Sequence, residues 1–323
     1  MKRIAVFTSG GDSPGMNACI RAVVRTAIYH GLEVYGIRRG YNGMIKGEFW
    51  KMESSSVSNT IQKGGTILKS ARSQDFMTKE GRQKAYEQLK EYEIDGLVAI
   101  GGNGTFTGAT LFFEEFGIPV VGAPGTIDND LYGTDYTIGY DTAVNTALDA
   151  IDKIRDTADS HERVFFVEVM GRDSGYIAMP CAIGGGAEIV MIPETITSVP
   201  QVIDTIKNGW ERSKTSFIIV VAEGDEEGNA TDIAAKVKEA LPIMDIKVTI
   251  LGHVQRGGSP TAADRMLASQ IGIATVEGLL NGKTDVMAGI VNSKLVFTPF
   301  KDTINKKKII NQRFTRMVEI LSV

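Results

Sequence analysis

Apolar residues arrive along this chain in short unbroken runs, each closed by a glycine-rich turn, rather than in strict alternation. The first run, Lys2 to Thr8, stops at Ser9-Gly10-Gly11-Asp12-Ser13-Pro14-Gly15, and a helical period then extends from Met16 to Tyr29. A strand, a glycine turn and a helix start in that order form the usual α/β arrangement for holding a phosphate on backbone amides. Leu32 to Ile37 reads as the next strand. A charged helical stretch, Lys79 to Tyr92, leads through Asp95 into Gly96 to Ile100, a continuous apolar run suited to a strand covered on both faces. Gly101-Gly102-Asn103-Gly104-Thr105 closes that run, and Phe106 to Phe116 has a helical period. Pro119 to Gly122 is strand-like and precedes the polar loop Pro124-Gly125-Thr126-Ile127-Asp128-Asn129-Asp130.

The pattern then begins again. Ala143 to Asp159 predicts a helix, and Arg163 to Met170 a strand ending in Gly171-Arg172. Ala187 to Ile192 predicts a strand, Pro200 to Arg212 a helix, and Phe217 to Ala222 a strand that stops at Glu223-Gly224. Lys247 to Leu251 ends in Gly252-His253-Val254-Gln255-Arg256-Gly257-Gly258, and Pro260 to Leu280 is helical. The repetition predicts an α/β protein of two lobes with a cleft, the second lobe near residues 140 to 254. Three strand ends of the first lobe carry loops that can meet at one sheet edge, where open α/β folds bind their ligands.

Composition narrows the class of ligand. The chain has 323 residues, 43% of them apolar, enough for one large core or two moderate ones. Lys and Arg number 35 against 39 Asp and Glu, a formal charge of -4, with no basic block or aromatic platform for nucleic acid. Small anions remain open, since a few converging arginines hardly alter the total charge. Cys19 and Cys181 are far apart and lack a CxxC partner, so neither a disulfide framework nor a thiolate metal site is expected. With no signal segment and no apolar run of membrane-spanning length, the expectation is a cytoplasmic protein without a membrane partner.

The glycine turns carry the first candidate chemistry. Gly10 to Asn17 has neither GxGxxG nor GK[ST] spacing, yet its amides at a helix start can still hold a phosphate. Gly101 to Gly104 repeats the geometry, and a plain type II or left-handed turn accounts for it equally well. Asp128 and Asp130 flank Asn129 beyond a strand, where one carboxylate can deprotonate an alcohol while the other fixes Mg²⁺ or orients the base. An Asx turn with a surface acid satisfies the same spacing. Arg72, Arg163, Arg172 and Arg256 stand beside glycine or at the ends of apolar runs, and guanidinium groups there suit a sugar phosphate. His253 can donate to a sugar or phosphate oxygen, although one histidine makes no metal site.

At these loops the chain resembles the bacterial ATP-dependent 6-phosphofructokinase family. The likeness rests on Thr8 to Ala18, Gly64-Gly65-Thr66 with Ser70-Ala71-Arg72, Pro124 to Asp130, Val169 to Arg172, and Leu251 to Thr261. It implies two Rossmann-like three-layer lobes in a phosphofructokinase-type fold with an active-site cleft between them. Residues 1–139 plus 255–305 would form the ATP-binding lobe, and 140–254 plus 306–323 the sugar-phosphate lobe. The implied reaction moves the γ-phosphoryl group of MgATP to the 1-hydroxyl of fructose 6-phosphate in glycolysis. Asp128 would be the general base and Asp130 would support metal and base. Thr126 and Arg172 would approach the phosphoryl group, and Gly11, Arg72, Gly102, Asn103, Gly104 and Thr105 would belong to the ATP site. Met170, Gly171, Glu223, His253 and Arg256 would hold the sugar phosphate, joined by Arg163 and Lys247 from a neighbouring subunit of a homotetramer.

Several positions depart from the family pattern. Asn103 stands where the family presents an aspartate that helps hold Mg²⁺, so impaired or metal-sensitive catalysis is expected, with a catalytically silent regulatory subunit as the alternative. Lys247 replaces an arginine, keeping charge but losing the planar fork. Gly104 and Gly125 stand where pyrophosphate-dependent relatives carry aspartate and lysine, which favours ATP over pyrophosphate. An ADP or phosphoenolpyruvate effector site would draw on Arg21, Arg25, Arg155, Arg212 and Lys214, with Glu188 as a metal contact. Ser54 and Ser55, in place of arginine and tyrosine, point to blunted control.

Overall fold

A computed structural model of the chain describes residues 1–321. The elements run β1 (Arg3–Thr8), α1 (Met16–Tyr29), β2 (Glu33–Ile37), α2 (Gly40–Ile45), β3 (Phe49–Met52), α3 (Lys79–Glu91), β4 (Gly96–Gly101), α4 (Asn103–Phe116), β5 (Val120–Pro124) and α5 (Tyr140–His161). They continue with β6 (Val164–Val169), α6 (Ala178–Gly185), β7 (Ile189–Met191), α7 (Val199–Glu211), β8 (Phe217–Ala222), α8 (Ala230–Ala240), β9 (Ile246–Ile250), α9 (Ala262–Leu280), β10 (Val286–Val291), β11 (Lys294–Pro299), α10 (Phe300–Asn305) and α11 (Gln312–Leu321).

Two compact units result. The first comprises Met1–Ile127, Leu131–Thr142 and Arg256–Lys308; the second comprises Asp128–Asp130, Ala143–Gln255 and Ile309–Val323. The expected sugar-phosphate lobe ended at residue 323, and its positions 322 and 323 lie outside the described residues.

In the first unit a seven-stranded sheet has the order β11-β10-β5-β4-β1-β2-β3. Its interior pairs are parallel, and the two outermost pairs, β10 with β11 and β2 with β3, are antiparallel. Period-two alternation sends Ile4 and Val6 of β1 into a core with Met16, Ile20, Val23 and Ile271 from α1 and α9. Ala5 and Phe7 enter the opposite core with Phe106, Phe112 and Leu89 from α4 and α3. Burial of each such large side chain contributes about 1.5–3 kcal/mol, which accounts for the unbroken apolar run Ile4 to Phe7 within β1.

The second unit carries a four-stranded parallel sheet of order β7-β8-β6-β9. Phe166, Ile219 and Val221 pack there with Val202 and Ile206 of α7 and Ile233 and Val237 of α8. Ser198 and Gln201 form a capping box that starts α7, with Pro200 inside the first turn. Cys19 and Cys181 are both buried, and burial pushes each thiol up to about 12. Among the described residues no helix is long and apolar enough to cross a membrane.

Candidate active site

Strand order fixes where a ligand can enter each unit. In the first, β1 lies between β2 and β4, so the chain leaves β1 to one side and later returns on the other. The loops after β1 and β4 therefore diverge at their carboxyl ends and leave a crevice. Local bonds tie them there: Ser9 N donates to Ile100 O at 3.0 Å, and the Thr105 hydroxyl donates to Ser9 O at 3.1 Å. The loop after β5 joins them through Gly125 N donating to Gly101 O at 3.0 Å.

Glycine is needed at this junction for two different reasons. Gly10 and Gly15 take φ of 87° and 104°, the left-handed region a side chain disfavours. Gly101 serves close approach instead, because a Cβ on it would lie 2.2 Å from Thr105 Oγ1 and 2.6 Å from Ser9 O. The turn expected at Gly101 to Gly104 is absent as such. Gly102 is extended, and Asn103 is already the first residue of α4, with Thr107 donating its hydroxyl to Asn103 O at 2.9 Å. Asn103 thus stands at a helix N-terminus, where amides and dipole favour an anion. Gly104 faces open space, with nothing within 4 Å of a Cβ built on it, and a Cβ on Gly102 would sit 3.7 Å from Thr126.

Arg256 lies over the first glycine loop. Its Nη1 donates to Asp12 O at 3.3 Å, and it would be 2.5 Å from a Cβ on Gly11. Arg72 is exposed, and Ser70 donates its hydroxyl to Gly10 O at 2.5 Å. Tyr41 and Phe76, which the hydrophobic pattern does not single out, pack in the core behind this junction. Their rings stack at 3.9 Å, and the Tyr41 hydroxyl, pushed up by burial, donates to Thr105 O at 2.6 Å.

The second unit repeats the logic. Here β6 lies between β8 and β9, and the segments following these three strands hold Met170 to Arg172, Glu223 and His253. Arg172 N donates to Glu223 Oε1 at 2.7 Å, and Glu223 N donates to Val169 O at 3.0 Å. Gly171 takes φ of 152° and Arg172 φ of 57°, a left-handed corner that leaves the Arg172 side chain 71% exposed. Gln255 is fully buried, and its Oε1 accepts from Met170 N at 2.9 Å. No pattern marks Gln255, which stands between His253 and Arg256 in the sequence.

Asp128, 8% exposed, and Asn129, at φ 54°, form the short segment assigned to this unit with Asp130. The Ser174 hydroxyl donates to Asp128 O at 3.3 Å and to Gly171 O at 2.9 Å, tying the acidic loop to the Arg172 corner. Arg163 Nε and Lys247 Nζ meet on one carboxylate, Asp245, at 2.6 and 2.8 Å. Hydrogen bonds from Lys247 and then Arg163 hold the Asp245 carboxyl below its usual range.

The expected effector residues divide between the units. Arg21 and Arg25 share a face of α1, and partial burial, followed by the like charge of Arg25, lowers the Arg21 pKa. In the second unit Lys214 Nζ reaches buried Glu188 at 2.5 Å, and the other Glu188 oxygen accepts from Ile218 N at 2.6 Å. Arg155 Nη2 donates to Gly185 O and Gly186 O at 2.5 and 2.6 Å, and Arg212 Nε donates to Asn208 O at 3.2 Å. Among the described residues no three His, Cys, Asp or Glu side chains cluster as a metal site.

Residues 3–279 match the family described as Phosphofructokinase. An ATP-dependent 6-phosphofructokinase of Cytophaga hutchinsonii is 65% identical over 322 residues, covering 100% of this chain and 98% of the relative. ATP-dependent 6-phosphofructokinase 1 of Thermus thermophilus is 57% identical, covering 100% of both. A solved phosphofructokinase from Saccharomyces cerevisiae superposes with a TM-score of 0.90 at 36% identity, and this chain spans 48% of that longer one.

Proposed function

This chain belongs to the phosphofructokinase family, and from that premise we propose how its residues divide the work of the reaction. The reaction is ATP-dependent transfer of a phosphoryl group to fructose 6-phosphate. The nucleotide polyphosphate lies on the amides of Gly11 and of Gly102 to Thr105, with Arg72 beside it. The observation that carries this reading is the convergence of the loops after β1, β4 and β5 on the bonds between Ser9, Ile100, Gly101 and Gly125.

Asp128 takes the proton from the sugar 1-hydroxyl as that oxygen attacks the γ-phosphorus; the bond to the ADP oxygen breaks, and the proton stays on Asp128. Thr126 and Arg172 meet the charge that spreads over the phosphoryl oxygens. Met170, Gly171, Glu223, His253 and Arg256 orient the sugar phosphate. Arg163 and Lys247 reach the sugar phosphate of a neighbouring copy in a homotetramer, which suits their place at the amino ends of β6 and the edge strand β9, with Lys247 exposed and Arg163 partly so.

Mg²⁺ would be held by Asp130 and the Asn103 amide oxygen together with the phosphates, and would neutralise charge on the β and γ oxygens. The donor set fits that metal, which keeps waters and takes only one or two protein ligands beside phosphate. It also explains why no three-acid cluster is required. Asn103 supplies no charge, so turnover is reduced; if the missing charge contributes about 2 kcal/mol in the transition state, the deficit is roughly thirtyfold.

Glycines support ATP over pyrophosphate as donor. A Cβ at Gly125 would lie 2.9 Å from Ile100 and 3.1 Å from Met16, so a lysine there would require these side chains to shift, whereas Gly104 opens onto free space. A silent regulatory subunit is the second reading, favoured by Asn103 alone. Effector binding by ADP or phosphoenolpyruvate at Arg21, Arg25, Arg155, Arg212 and Lys214 and a cytoplasmic location complete the proposal. The test is a coupled assay for fructose 1,6-bisphosphate with ATP or pyrophosphate across a wide Mg²⁺ range. Product formed from ATP, with a raised Mg²⁺ requirement, is expected. Absence of turnover at every Mg²⁺ concentration would establish the silent reading, and turnover with pyrophosphate alone would overturn the donor assignment.

A further inference from the structure

A cavity in the first unit, of about 770 Å³, is built from residues that the reaction does not use. It opens on the edge strand β3 and falls within the size range of small-molecule sites. Arg38, Arg39, Lys51 and Lys69 line it with a single acid, Glu48. Glu48 is taken by Arg39, which reaches it through Nε at 2.9 Å and also through Nη2. Lys51 has Glu33 at 3.3 Å. Among the described residues Arg38 and Lys69 have no carboxylate partner, so two cationic groups of the wall are uncompensated.

The wall also carries one indole, since Phe49 and Trp50 pack against opposite cores and Phe49 stacks on Tyr92. Phe49 and Trp50 line the same cavity, and the Arg38 guanidinium stands 5.3 Å from the Trp50 ring centroid. The frame is fixed by backbone bonds: Arg38 N donates to Glu48 O at 3.1 Å, and Arg39 N donates to Leu68 O at 2.8 Å. Arg39 and Lys69 both adopt left-handed φ, 58° and 61°. Lys69 is joined to the glycine cradle as well. Its carbonyl accepts from the Thr8 hydroxyl at 2.9 Å, and the next residue, Ser70, donates to Gly10 O.

We propose that this groove is a second nucleotide site, in which Arg38 and Lys69 take the phosphates of a nucleoside polyphosphate and the Trp50 indole takes its base. Guanidinium and ammonium supply the charge for phosphate, and the indole face supplies the stacking that inorganic phosphate cannot use. The link from Lys69 through Thr8 and Ser70 gives the bound nucleotide a mechanical route to the catalytic phosphate loop.

Trp50 and Trp210 are the two tryptophans of the chain, so a Trp210→Phe background leaves Trp50 as the sole indole reporter. In that full-length protein, ADP is expected to change Trp50 emission at a concentration at least tenfold below that needed by inorganic tripolyphosphate, and adenosine is expected to do nothing. Arg38→Ala with Lys69→Ala is expected to weaken the ADP response at least tenfold while KM for ATP stays within twofold, and Lys69→Glu alone gives the same loss by charge reversal. Arg72→Ala, which alters the catalytic cradle, leaves the Trp50 response in place. Retention of the response in Arg38→Ala/Lys69→Ala, its loss in Arg72→Ala, or equal affinity for tripolyphosphate and ADP would each overturn the proposal.

Discussion

The two sheets solve the same topological problem with different materials. At the β1/β4 divergence of the first unit the chain presents backbone, with Gly10, Gly11, Gly101 and Gly102 bringing amides and carbonyls into contact. At the β6/β9 divergence of the second it presents side chains, and Arg172, Glu223 and His253 are all exposed. Backbone suits a ligand whose recognised part is always the same polyphosphate. Side chains suit a substrate whose shape must be selected, and exposed ones suit a site that another copy helps to complete. The contrast predicts abrupt losses from changes in the first unit's cradle and graded losses from those around the second unit's sheet.

Asp128 belongs to neither style, since it is a buried side chain to which the proposed reaction assigns the proton transfer itself. Asp128→Asn should lower kcat by about 10²–10⁴-fold with little change in KM for either substrate. A fall of less than tenfold would remove the chemistry from this loop.

The next effect tests the cradle. Gly101→Ala would force a Cβ to within 2.6 Å of the Ser9 carbonyl, separating the loops after β1 and β4. Overpacking of this kind costs on the order of 3 kcal/mol, and KM for ATP should rise in step by about a hundredfold. Gly104→Ala faces open space and should leave the melting temperature unchanged. Equal melting temperatures for the two variants would break the claim that close approach governs this site.

Asn103→Asp sharpens the comparison from the metal side. Adding the charge should raise turnover roughly thirtyfold at saturating Mg²⁺ and lower the Mg²⁺ needed for half-maximal rate. Equal rates and equal metal dependence in both forms would show that the amide oxygen suffices.

How far these regions could be read in advance follows the same division. Nearly continuous apolar runs closed by glycine announce β1, β4, β6 and β8, because a strand buried on both faces has few polar positions, such as the hydrogen-bonded Glu168 of β6, to disguise it. The hairpin of β10 and β11 went unread. Its turn is Asn292-Ser293 rather than Asn-Gly, although both residues take positive φ, and β11 is half exposed. Helix α6 holds Pro180 and two glycines, so propensity argues against it; buried Ala178, Met179, Cys181 and Ala182 hold it in place through packing. Within the sites, acids and arginines at strand ends were legible by type and position. Tyr41, Phe76 and Gln255 were not, because their roles come from contacts with Thr105 and Met170, which are distant in sequence. Arg256 was legible as a candidate phosphate ligand, and its position over Gly11 is one that only tertiary packing reveals.

The smallest effect probes the exposed side of the contrast. Asp245 engages both Arg163 and Lys247, so under the proposed assignment a sugar phosphate would compete there with a carboxylate already in place. Asp245→Asn should therefore lower KM for fructose 6-phosphate by about threefold at low ionic strength, with the difference vanishing at high salt and kcat unchanged. A rise in KM would instead make Asp245 the residue that positions the two cations. The pH dependence has a defined sign. The folded carboxyl lies below its usual range, so the ion pairs stabilise the fold above the ordinary carboxylate pKa, and that contribution is lost as pH falls through the depressed value. Thermal melts from neutral pH downward should show the original chain and Asp245→Asn apart near neutrality and converging in acid, and parallel curves would mean that the pairs contribute nothing to folding.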